Sequence, residues 1–313
     1  MKNIGFIFPG QGSQYVGMGK ELYEVFPKAK EVFDEANKSL NKDISNLCFN
    51  GPIEELTSTE NNQVAIVTVS IALLEVLKSY GVSPKAVAGL SLGEYSALIA
   101  SGVMDFKTGI EVVKQRGIFM KEDSDKTKGA MAAIIGGKIE DIENTCEDLK
   151  FKGIISIANY NCSSQTVISG EEHIVDEAMI ILKEKGFKKI IKLSVSGGFH
   201  TDLMRVASMK LKNELDSLEF KDASITIIPN VTGEILPSVS MLKDLLQAQV
   251  KSSVKWQKTI ETMIDMGIDT FIEVGPGKSL SSLVKKINKD VIVLNVEDKE
   301  SVYNVLKHLE VMA

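Results

Sequence analysis

Short apolar runs alternate along the chain with longer stretches in which apolar residues recur every three or four positions. The short runs predict strands at residues 4–8, 86–89, 225–228, 270–274 and 291–296, and the helical spacing predicts helices that include residues 21–37 and 63–80. Strands that alternate with helices are typical of a parallel sheet with helices on its faces. The pattern therefore predicts an α/β fold for most of the chain.

A different pattern occupies the middle of the chain. The charged segment 121–128 (KEDSDKTK) interrupts the apolar periodicity and predicts a solvated hinge. The predicted elements that follow are a strand, a helix, two strands, a helix and a strand, at residues 130–135, 139–150, 154–158, 165–169, 171–185 and 188–193. This βαββαβ order is that of a ferredoxin-like unit.

A helix from about Thr201 and three more strands then resume the first pattern, so the small unit is predicted to be an insertion. The predicted domains are a large α/β unit at residues 1–124 and 197–313 and a ferredoxin-like subdomain at residues 125–196. A cleft between two such units is the expected ligand site.

Composition narrows the classes of function. A net charge of -6 argues against a nucleic-acid-binding surface, which needs clustered positive charge. The 3 cysteines are far apart and lack a CxxC spacing, which indicates neither disulfides nor a zinc site and fits a reducing cytoplasm. The N-terminal apolar run is too short for a signal peptide, and the apolar stretch 64–77 contains Thr68, Ser70 and Glu75, as a buried helix does. We expect a cytoplasmic protein that uses no metal and binds neither membranes nor nucleic acids.

Residues 89–93 (GLSLG) have the pattern G-x-S-x-G between a predicted strand and a predicted helix. A sharp turn there would present the hydroxyl of Ser91 at the carboxyl edge of the sheet, with flanking glycines that relieve the crowding. The first N–H groups of the helix would face an oxyanion. The alternative is an ordinary glycine-rich turn, but the placement between strand and helix favours a serine nucleophile.

A serine nucleophile needs a base, and histidine supplies one near neutral pH. The chain has 3 histidines. His173 opens a polar helical stretch and His308 lies close to the C-terminus, so both are expected to be exposed. His200 follows a loop of small residues that leaves the inserted unit, where the cleft should open. A single histidine in a loop is usually structural, but elimination of the other two favours His200 as the base.

Arginine is rare in the chain, which has only Arg116 and Arg205 among its basic residues. Arg116 lies on the apolar stripe of a predicted helix, at residues 108–120, where a guanidinium needs an anionic partner. It could form a buried ion pair, extend to the surface, or bind the carboxylate of a substrate through two hydrogen bonds. The sequence alone leaves these alternatives open.

Several motifs together resemble the malonyl-CoA:acyl carrier protein transacylase family of fatty acid and polyketide synthesis. They are residues 8–14 (FPGQGSQ), 89–94 (GLSLGE), 115–117 (QRG), 195–200 (VSGGFH) and 273–277 (EVGPG). The resemblance spans almost the whole chain. It implies an α/β hydrolase-like domain with a ferredoxin-like insert, and transfer of malonyl from malonyl-CoA to the phosphopantetheine thiol of acyl carrier protein. It implies no metal or redox cofactor.

The resemblance also assigns catalytic roles to particular residues. Ser91 would be the nucleophile, His200 the base, and Arg116 the clamp for the malonyl carboxylate. The backbone carbonyl of Gln249, in place of an aspartate, would orient the histidine.

Further positions follow from the same resemblance. The backbone N–H groups of Gln11 and Leu92 would form the oxyanion hole, and Phe199 would exclude the α-methyl group of methylmalonyl. Two positions depart from the family pattern. Leu90 stands where histidine is common, which removes a polar neighbour of the serine. Gly198 stands where a larger residue is common, which predicts a more mobile loop before the base.

Two alternatives keep the same serine. An esterase or thioesterase usually places its histidine near the end of the chain, whereas His200 is followed by 113 residues (313 minus 200). A free-standing enzyme that serves a polyketide synthase would need the same residues as one of fatty acid synthesis. Nucleotide-binding motifs are incomplete, because the third glycine of G-x-G-x-x-G falls at Tyr15 and the first glycine of a P-loop falls at Ile272.

The expected partner is an acidic carrier protein, which should dock on positive charge. Lys188, Lys189 and Lys192 are candidates for that surface, although most such lysines are simply solvated. We expect a monomer.

Overall fold

The structure is a computed structural model that describes residues 2–195 and 197–311. Ser196, in the loop before His200, lies outside the described residues. The strands are β1 (Ile4–Phe8), β2 (Ala86–Gly89), β3 (Gly129–Ile135), β4 (Ile155–Cys162), β5 (Gln165–Glu171), β6 (Lys189–Lys192), β7 (Thr226–Ile227), β8 (Thr270–Val274) and β9 (Ile292–Val296).

The helices fall into three groups along the chain. Those before the small sheet are α1 (Lys20–Val25), α2 (Pro27–Leu40), α3 (Ile44–Asn50), α4 (Ile53–Thr57), α5 (Thr59–Ser79), α6 (Gly93–Ala100) and α7 (Phe106–Lys126). Those within it are α8 (Ile139–Leu149) and α9 (Glu172–Glu184). Those after it are α10 (Arg205–Asp216), α11 (Leu242–Gln249), α12 (Trp256–Asp265), α13 (Ser279–Ile287) and α14 (Lys299–His308).

The larger sheet is parallel, with strand order β7-β2-β1-β8-β9. Its central strands are buried on both faces because their side chains alternate between two apolar clusters. In β1, Phe6 and Phe8 pack into one cluster and Ile7 into the other. The carboxyl ends of β1, β2 and β8 meet at one edge, where ligands bind in open parallel sheets.

The smaller sheet is antiparallel, with strand order β4-β5-β3-β6. Along β3, Ala132 and Ile134 pack under α8 and α9, whereas Met131 and Ala133 face the large sheet. One face of the small sheet therefore packs against α8 and α9, and the other face lines the cleft. The predicted α/β fold with a ferredoxin-like insert is confirmed.

The predicted hinge at residues 121–128 is wrong, because α7 continues to Lys126. Apart from Asp123, the charged residues of this segment that belong to α7 are partly or fully exposed, and Lys121 pairs with Asp125 one turn later. The buried carboxylate of Asp123 accepts a hydrogen bond from the N–H of Ala207, in the first turn of α10. The predicted junction at 124–125 falls within α7, and the domain limits stay a prediction.

An interrupted helix and a shortened strand also differ from prediction. The helix predicted at residues 21–37 is divided at Pro27, which has no N–H and begins α2 at its first position. The strand predicted at residues 225–228 is reduced to the two residues of β7.

Helix α5 is long and apolar enough to cross a bilayer by length and composition alone. However, 83% of its most apolar window is buried inside the protein. It is a core helix, as its sequence predicts, and its polar Gln63 is fully buried.

Candidate active site

Ser91 lies on a sharp turn between β2 and α6, with a left-handed φ of 51°. The glycines on either side are sterically required. A Cβ on Gly89 would lie 2.0 Å from the carbonyl of Gly93, and a Cβ on Gly93 would lie 2.1 Å from the carbonyl oxygen of Phe8. The N–H of Ser91 donates to the side-chain oxygen of Asn230 at 2.6 Å. The turn thus projects the hydroxyl from the carboxyl edge of the large sheet.

The imidazole of His200 lies against this hydroxyl, with 2.9 Å between its Nε2 and Ser91 Oγ. Its other nitrogen, Nδ1, is 2.8 Å from the carbonyl oxygen of Gln249 and 3.1 Å from that of Ser252. Carbonyl oxygens only accept, so Nδ1 carries the proton and Nε2 is free to take one. Backbone carbonyls thus occupy the place that the aspartate has in a Ser-His-Asp triad.

The environment of His200 keeps its ring neutral. Burial, and then the positive charge of Arg116, lower the pKa of His200 to about 4, although the bonds to Gln249 and Ser252 oppose this shift. A ring that is neutral at neutral pH can accept the serine proton. The backbone of His200 is also left-handed, with φ of 62°, and its N–H donates to the carbonyl of Val250.

The guanidinium of Arg116 is buried on α7 beside the same hydroxyl. Its Nη2 donates to Ser91 Oγ at 3.0 Å and to Gln249 Oε1 at 3.2 Å, and its Nη1 donates to Gln63 Oε1 at 2.6 Å. The guanidinium also lies 5.5 Å from the ring centre of Tyr95.

These contacts exclude two of the three alternatives for Arg116. The side chain does not extend to the surface, being 1% exposed, and it forms no ion pair with a carboxylate among residues 2–195 and 197–311. Its direct partners are neutral, so the charge is available to a substrate carboxylate. Burial lowers the pKa of Arg116, as expected for a cation removed from water.

The backbone N–H groups of Gln11 and Leu92 donate to no protein acceptor within the described part of the chain. Leu92 precedes the first residue of α6, and Gln11 follows β1. The two loops approach closely, because a Cβ on Gly10 would lie 2.5 Å from the carbonyl oxygen of Leu90. Two unused donors beside a nucleophile are what an oxyanion hole requires.

A cavity of about 320 Å³ connects these groups. Ser91, His200, Arg116, Gln11 and Leu92 line it from the large unit. The small sheet contributes further lining residues, which are Met131, Ala133, Asn159, Asn161, Gln165 and Val167. Phe199, 5% exposed, forms part of its apolar wall. A larger cavity of about 570 Å³, between α8 and α12, contains none of the predicted site residues.

Another cavity, of about 370 Å³, adjoins the 320 Å³ cavity that contains Ser91. The two share Gln11, Leu90, Asn161, Gln165 and Ser279. The adjoining cavity extends over residues 9–13 towards Lys286 of α13. The half-buried Leu90 thus presents an apolar side chain to both spaces.

Gly198 fits tightly into its surroundings. A Cβ there would lie 2.5 Å from the side chain of Leu203 and 2.9 Å from the carbonyl oxygen of Gly170, and a Cβ on Gly129 would lie 2.1 Å from the nitrogen of Gly198. Close backbone packing on the small sheet thus accounts for this glycine, and the predicted mobility of the loop stays a prediction.

The remaining candidates lie elsewhere. His173 and His308 are exposed, as predicted, and Arg205 is an exposed residue paired with Asp202. Within residues 2–195 and 197–311, no group of three or more His, Cys, Asp or Glu side chains is arranged to hold a metal ion.

Three site residues were not singled out from the sequence, namely Gln63, Asn230 and Glu94. Gln63 is an amide buried in the core helix α5, and Asn230 follows the carboxyl end of β7. Both positions carry a signal, because a polar residue in a core helix or at the carboxyl edge of a parallel sheet is unusual unless it has a partner. Glu94 follows the serine by three residues and is 1% exposed, which only the fold reveals.

The chain is similar to known proteins along nearly its whole length. Residues 5–308 match the family described as "Acyl transferase domain". The malonyl CoA-acyl carrier protein transacylase of Bacillus subtilis (strain 168) is 45% identical over 303 residues, which are 96% of each chain.

Solved structures give the same result. The malonyl CoA-acyl carrier protein transacylase from Clostridium perfringens superimposes with a TM-score of 0.95 at 44% identity, over 99% of this chain and 98% of that one. A malonyl-transacylase in complex with a type II polyketide acyl carrier protein superimposes with a TM-score of 0.95 at 36% identity, over 98% of this chain and 100% of that one.

Proposed function

This chain belongs to the acyl transferase family, and from that membership we propose that it moves a malonyl group from malonyl-CoA to the phosphopantetheine thiol of acyl carrier protein through an ester on Ser91. One observation carries the assignment of residues. The Ser91 hydroxyl lies 2.9 Å from the base and 3.0 Å from a buried guanidinium that has no carboxylate partner among the described residues. A nucleophile, a base and an anion site at one oxygen suit an acyl group that carries its own carboxylate.

In the first half-reaction, Ser91 Oγ attacks the thioester carbonyl of malonyl-CoA while its proton passes to His200 Nε2. The oxyanion of the tetrahedral intermediate accepts hydrogen bonds from the N–H groups of Gln11 and Leu92. When the intermediate collapses, the carbon–sulfur bond breaks and His200 returns the proton to the sulfur of coenzyme A.

In the second half-reaction, the phosphopantetheine thiol gives its proton to His200 and attacks the malonyl ester. The bond to Ser91 Oγ breaks, and the proton returns to that oxygen. A thioester is exchanged for an ester and then re-formed, so the proposed cycle uses no metal or redox cofactor.

Arg116 holds the malonyl carboxylate through both steps. Only one methylene separates the two carbonyl carbons of malonyl, so the cation must lie close to the nucleophile. Arg116 Nη2 donates to Ser91 Oγ at 3.0 Å, and a bound carboxylate would take over this donor. The pantetheine arm has a path along the adjoining cavity over residues 9–13, which shares Gln11 with the acyl cavity.

The function is tested by incubating the protein with malonyl-CoA and measuring its intact mass. One malonyl group should add to Ser91, and addition of acyl carrier protein should remove it as malonyl-carrier. Ser91→Ala should show no adduct, whereas Ser279→Ala, a serine of the same cavity, should acylate normally. Rapid release of free malonate without carrier would instead identify a thioesterase.

The carrier of fatty acid synthesis is the proposed acceptor. A polyketide carrier is the second candidate, because a structural neighbour was solved with one. Comparing kcat/KM for the two carriers at equal malonyl-CoA decides between them.

A further inference from the structure

Glu94 is a buried carboxylate to which the proposed cycle assigns no role. It lies in the first turn of α6, three residues after the nucleophile, and is 1% exposed. It forms no ion pair with a lysine or arginine among residues 2–195 and 197–311. Burial of a carboxylate costs free energy unless hydrogen bonds or an opposite charge compensate for the lost hydration.

The contacts of Glu94 lead to the nucleophile by two routes. Its Oε2 accepts hydrogen bonds from the N–H of Asn230 at 3.1 Å and from Gln249 Nε2 at 2.7 Å. The side chain of Asn230 accepts from the N–H of Ser91 at 2.6 Å, and Gln249 Nε2 also donates to the carbonyl of Ser91 at 2.9 Å. Asn230 and Gln249 therefore bind the N–H and the carbonyl of the strained Ser91, and both are themselves hydrogen-bonded to Glu94.

Gln249 extends the same network to the base and to the clamp. A carboxylate only accepts hydrogen bonds, so it fixes which end of the Gln249 amide points towards it. With Nε2 bound to Glu94, Oε1 faces Arg116 Nη2 at 3.2 Å. The backbone carbonyl of the same residue accepts from His200 Nδ1 at 2.8 Å. An amide rotated by half a turn would face Arg116 with its N–H groups and break this set.

Glu94 also supplies a negative charge that acts on the buried cation of Arg116. The direct partners of Arg116 are neutral, and Glu94 lies beyond one of them, Gln249. Burial raises the pKa of Glu94 to about 7, while its bonds to Gln249 and Asn230 and the charge of Arg116 hold it down. The ionisable groups that face it are Arg116 from α7 and Tyr95 from its own helix, with His200 beyond Gln249.

We propose that Glu94 is a positioning residue for malonyl transfer: its carboxylate orients the Gln249 amide and the Asn230 backbone, and through them aligns Ser91, His200 and Arg116. The proposal rests on the proposed function, since it concerns the same reaction. The buried carboxylate of Glu94 thus keeps the nucleophile, the base and the carboxylate-binding cation in one arrangement.

The test compares wild type with Glu94→Gln, which keeps the shape and removes the carboxylate. We expect kcat for malonyl transfer to fall by about 10- to 100-fold, as for a small misplacement of reacting groups, with a smaller change in KM for malonyl-CoA. Intact mass gives the fraction of protein that acylates, so the loss is expressed per competent site. Glu273→Gln is the matched control, because Glu273 is equally buried but binds the N–H groups of Leu280 and Ser281.

The pH profile separates positioning from a structural role. Wild-type kcat should fall as pH decreases through about 7, because protonation removes the negative charge of Glu94. His200, with its pKa near 4, stays neutral over this range and does not produce that limb. Glu94→Gln should be slow and independent of pH between about 5.5 and 8, while Glu273→Gln keeps the limb.

A double-mutant cycle tests the route through Gln249. If Glu94 acts through this amide, Glu94→Gln should cost much less in a Gln249→Ala background than in wild type. Should Glu94→Gln fold poorly, Glu94→Asp keeps the charge on a shorter arm and should retain the limb at reduced kcat. The proposal would be overturned if Glu94→Gln lowered kcat by the same factor in both backgrounds. It would also be overturned if Glu94→Gln lowered kcat only in proportion to the fraction of protein that acylates and kept the fall of kcat with decreasing pH. Failure of wild type to form malonyl-Ser91 would instead overturn the proposed function.

Discussion

Ser91 and His200 meet at 2.9 Å between Oγ and Nε2, and both hold a left-handed backbone, with φ of 51° and 62°. Residues other than glycine adopt this conformation at a cost of about 1–2 kcal/mol each. Hydrogen bonds maintain it on both sides, from the N–H of Ser91 to Asn230 and from the N–H of His200 to Val250. Both residues proposed to exchange the proton are thus held in a strained backbone conformation.

Replacement of Arg116 should change which acyl groups are transferred. In Arg116→Ala, kcat/KM for malonyl-CoA should fall by about two to four orders of magnitude, because a buried charged pair is worth about 3–5 kcal/mol. Acetyl transfer should persist, since acetyl carries no carboxylate. The two rates are measured on one preparation, with Arg205→Ala as the control because Arg205 is exposed and pairs with Asp202. An equal fall of both rates would exclude a carboxylate clamp.

Burial of His200 should make stability depend on pH. Its pKa is about 4 in the folded protein and about 6.5 in the unfolded chain, so its contribution is present above pH 6.5 and is lost as pH falls towards 4. Between pH 7 and 5 the loss is about 2 kcal/mol. Relative to wild type, the free energy of unfolding of His200→Gln should therefore rise by this amount over the same interval.

Urea unfolding of both proteins at the two pH values provides the measurement. His173→Gln, which changes an exposed ring, is the matched control. A difference between wild type and His200→Gln that is the same at pH 7 and pH 5 would show that the buried ring titrates normally.

Phe199 should exclude branched acyl groups from the cavity. In Phe199→Leu, the ratio of kcat/KM for methylmalonyl-CoA to that for malonyl-CoA should increase about 10-fold or more, which is the usual effect of one methyl group in a fitted site. The ratio does not depend on the fraction of folded protein. Met131→Leu alters another wall of the same cavity and should leave the ratio nearly unchanged. An unchanged ratio in Phe199→Leu would place the discrimination elsewhere.

Carrier docking should involve Lys188 and Lys189 but not Lys192. The first two are exposed beside the edge strand β6, whereas Lys192 already pairs with Asp176 and Glu172. Reversal of both charges to glutamate should raise KM for carrier several-fold at low salt and leave the rate of Ser91 malonylation unchanged.

The control for charge reversal is the same change at Lys20 and Lys38, exposed residues of α1 and α2. If both double variants changed KM for carrier equally, the effect would come from net charge and not from a docking surface.

Much of the fold follows from local pattern. Strands β1, β2 and β8 have the predicted bounds because they are mostly apolar, are buried on both faces and end in glycine-rich or polar turns. The hinge prediction failed at α7 because the exposed face of a helix and a loop share the same composition. The hydrophobic pattern shows which residues face the core, but it does not show whether a charged segment continues a helix or forms a loop.

The site divides in the same way. The sharp turn at Ser91 was predictable because its crowding requires glycines at fixed positions beside the serine. The contacts of Glu94 were not predictable, because its partners Asn230 and Gln249 lie 136 and 155 residues away in sequence. A charged residue beside an active serine acquires its role from tertiary contacts alone.

The chain delivers His200 only after it has left β6 of the small sheet, whereas Ser91 belongs to the large one. During synthesis Ser91 emerges long before His200, and before Asn230 and Gln249, which bind its backbone. The ring also needs carbonyl groups of Gln249 and Ser252, which arrive later still. A partly made or partly unfolded chain thus holds an inert alcohol, and coenzyme A thioesters are safe from it until both layers have closed on each other.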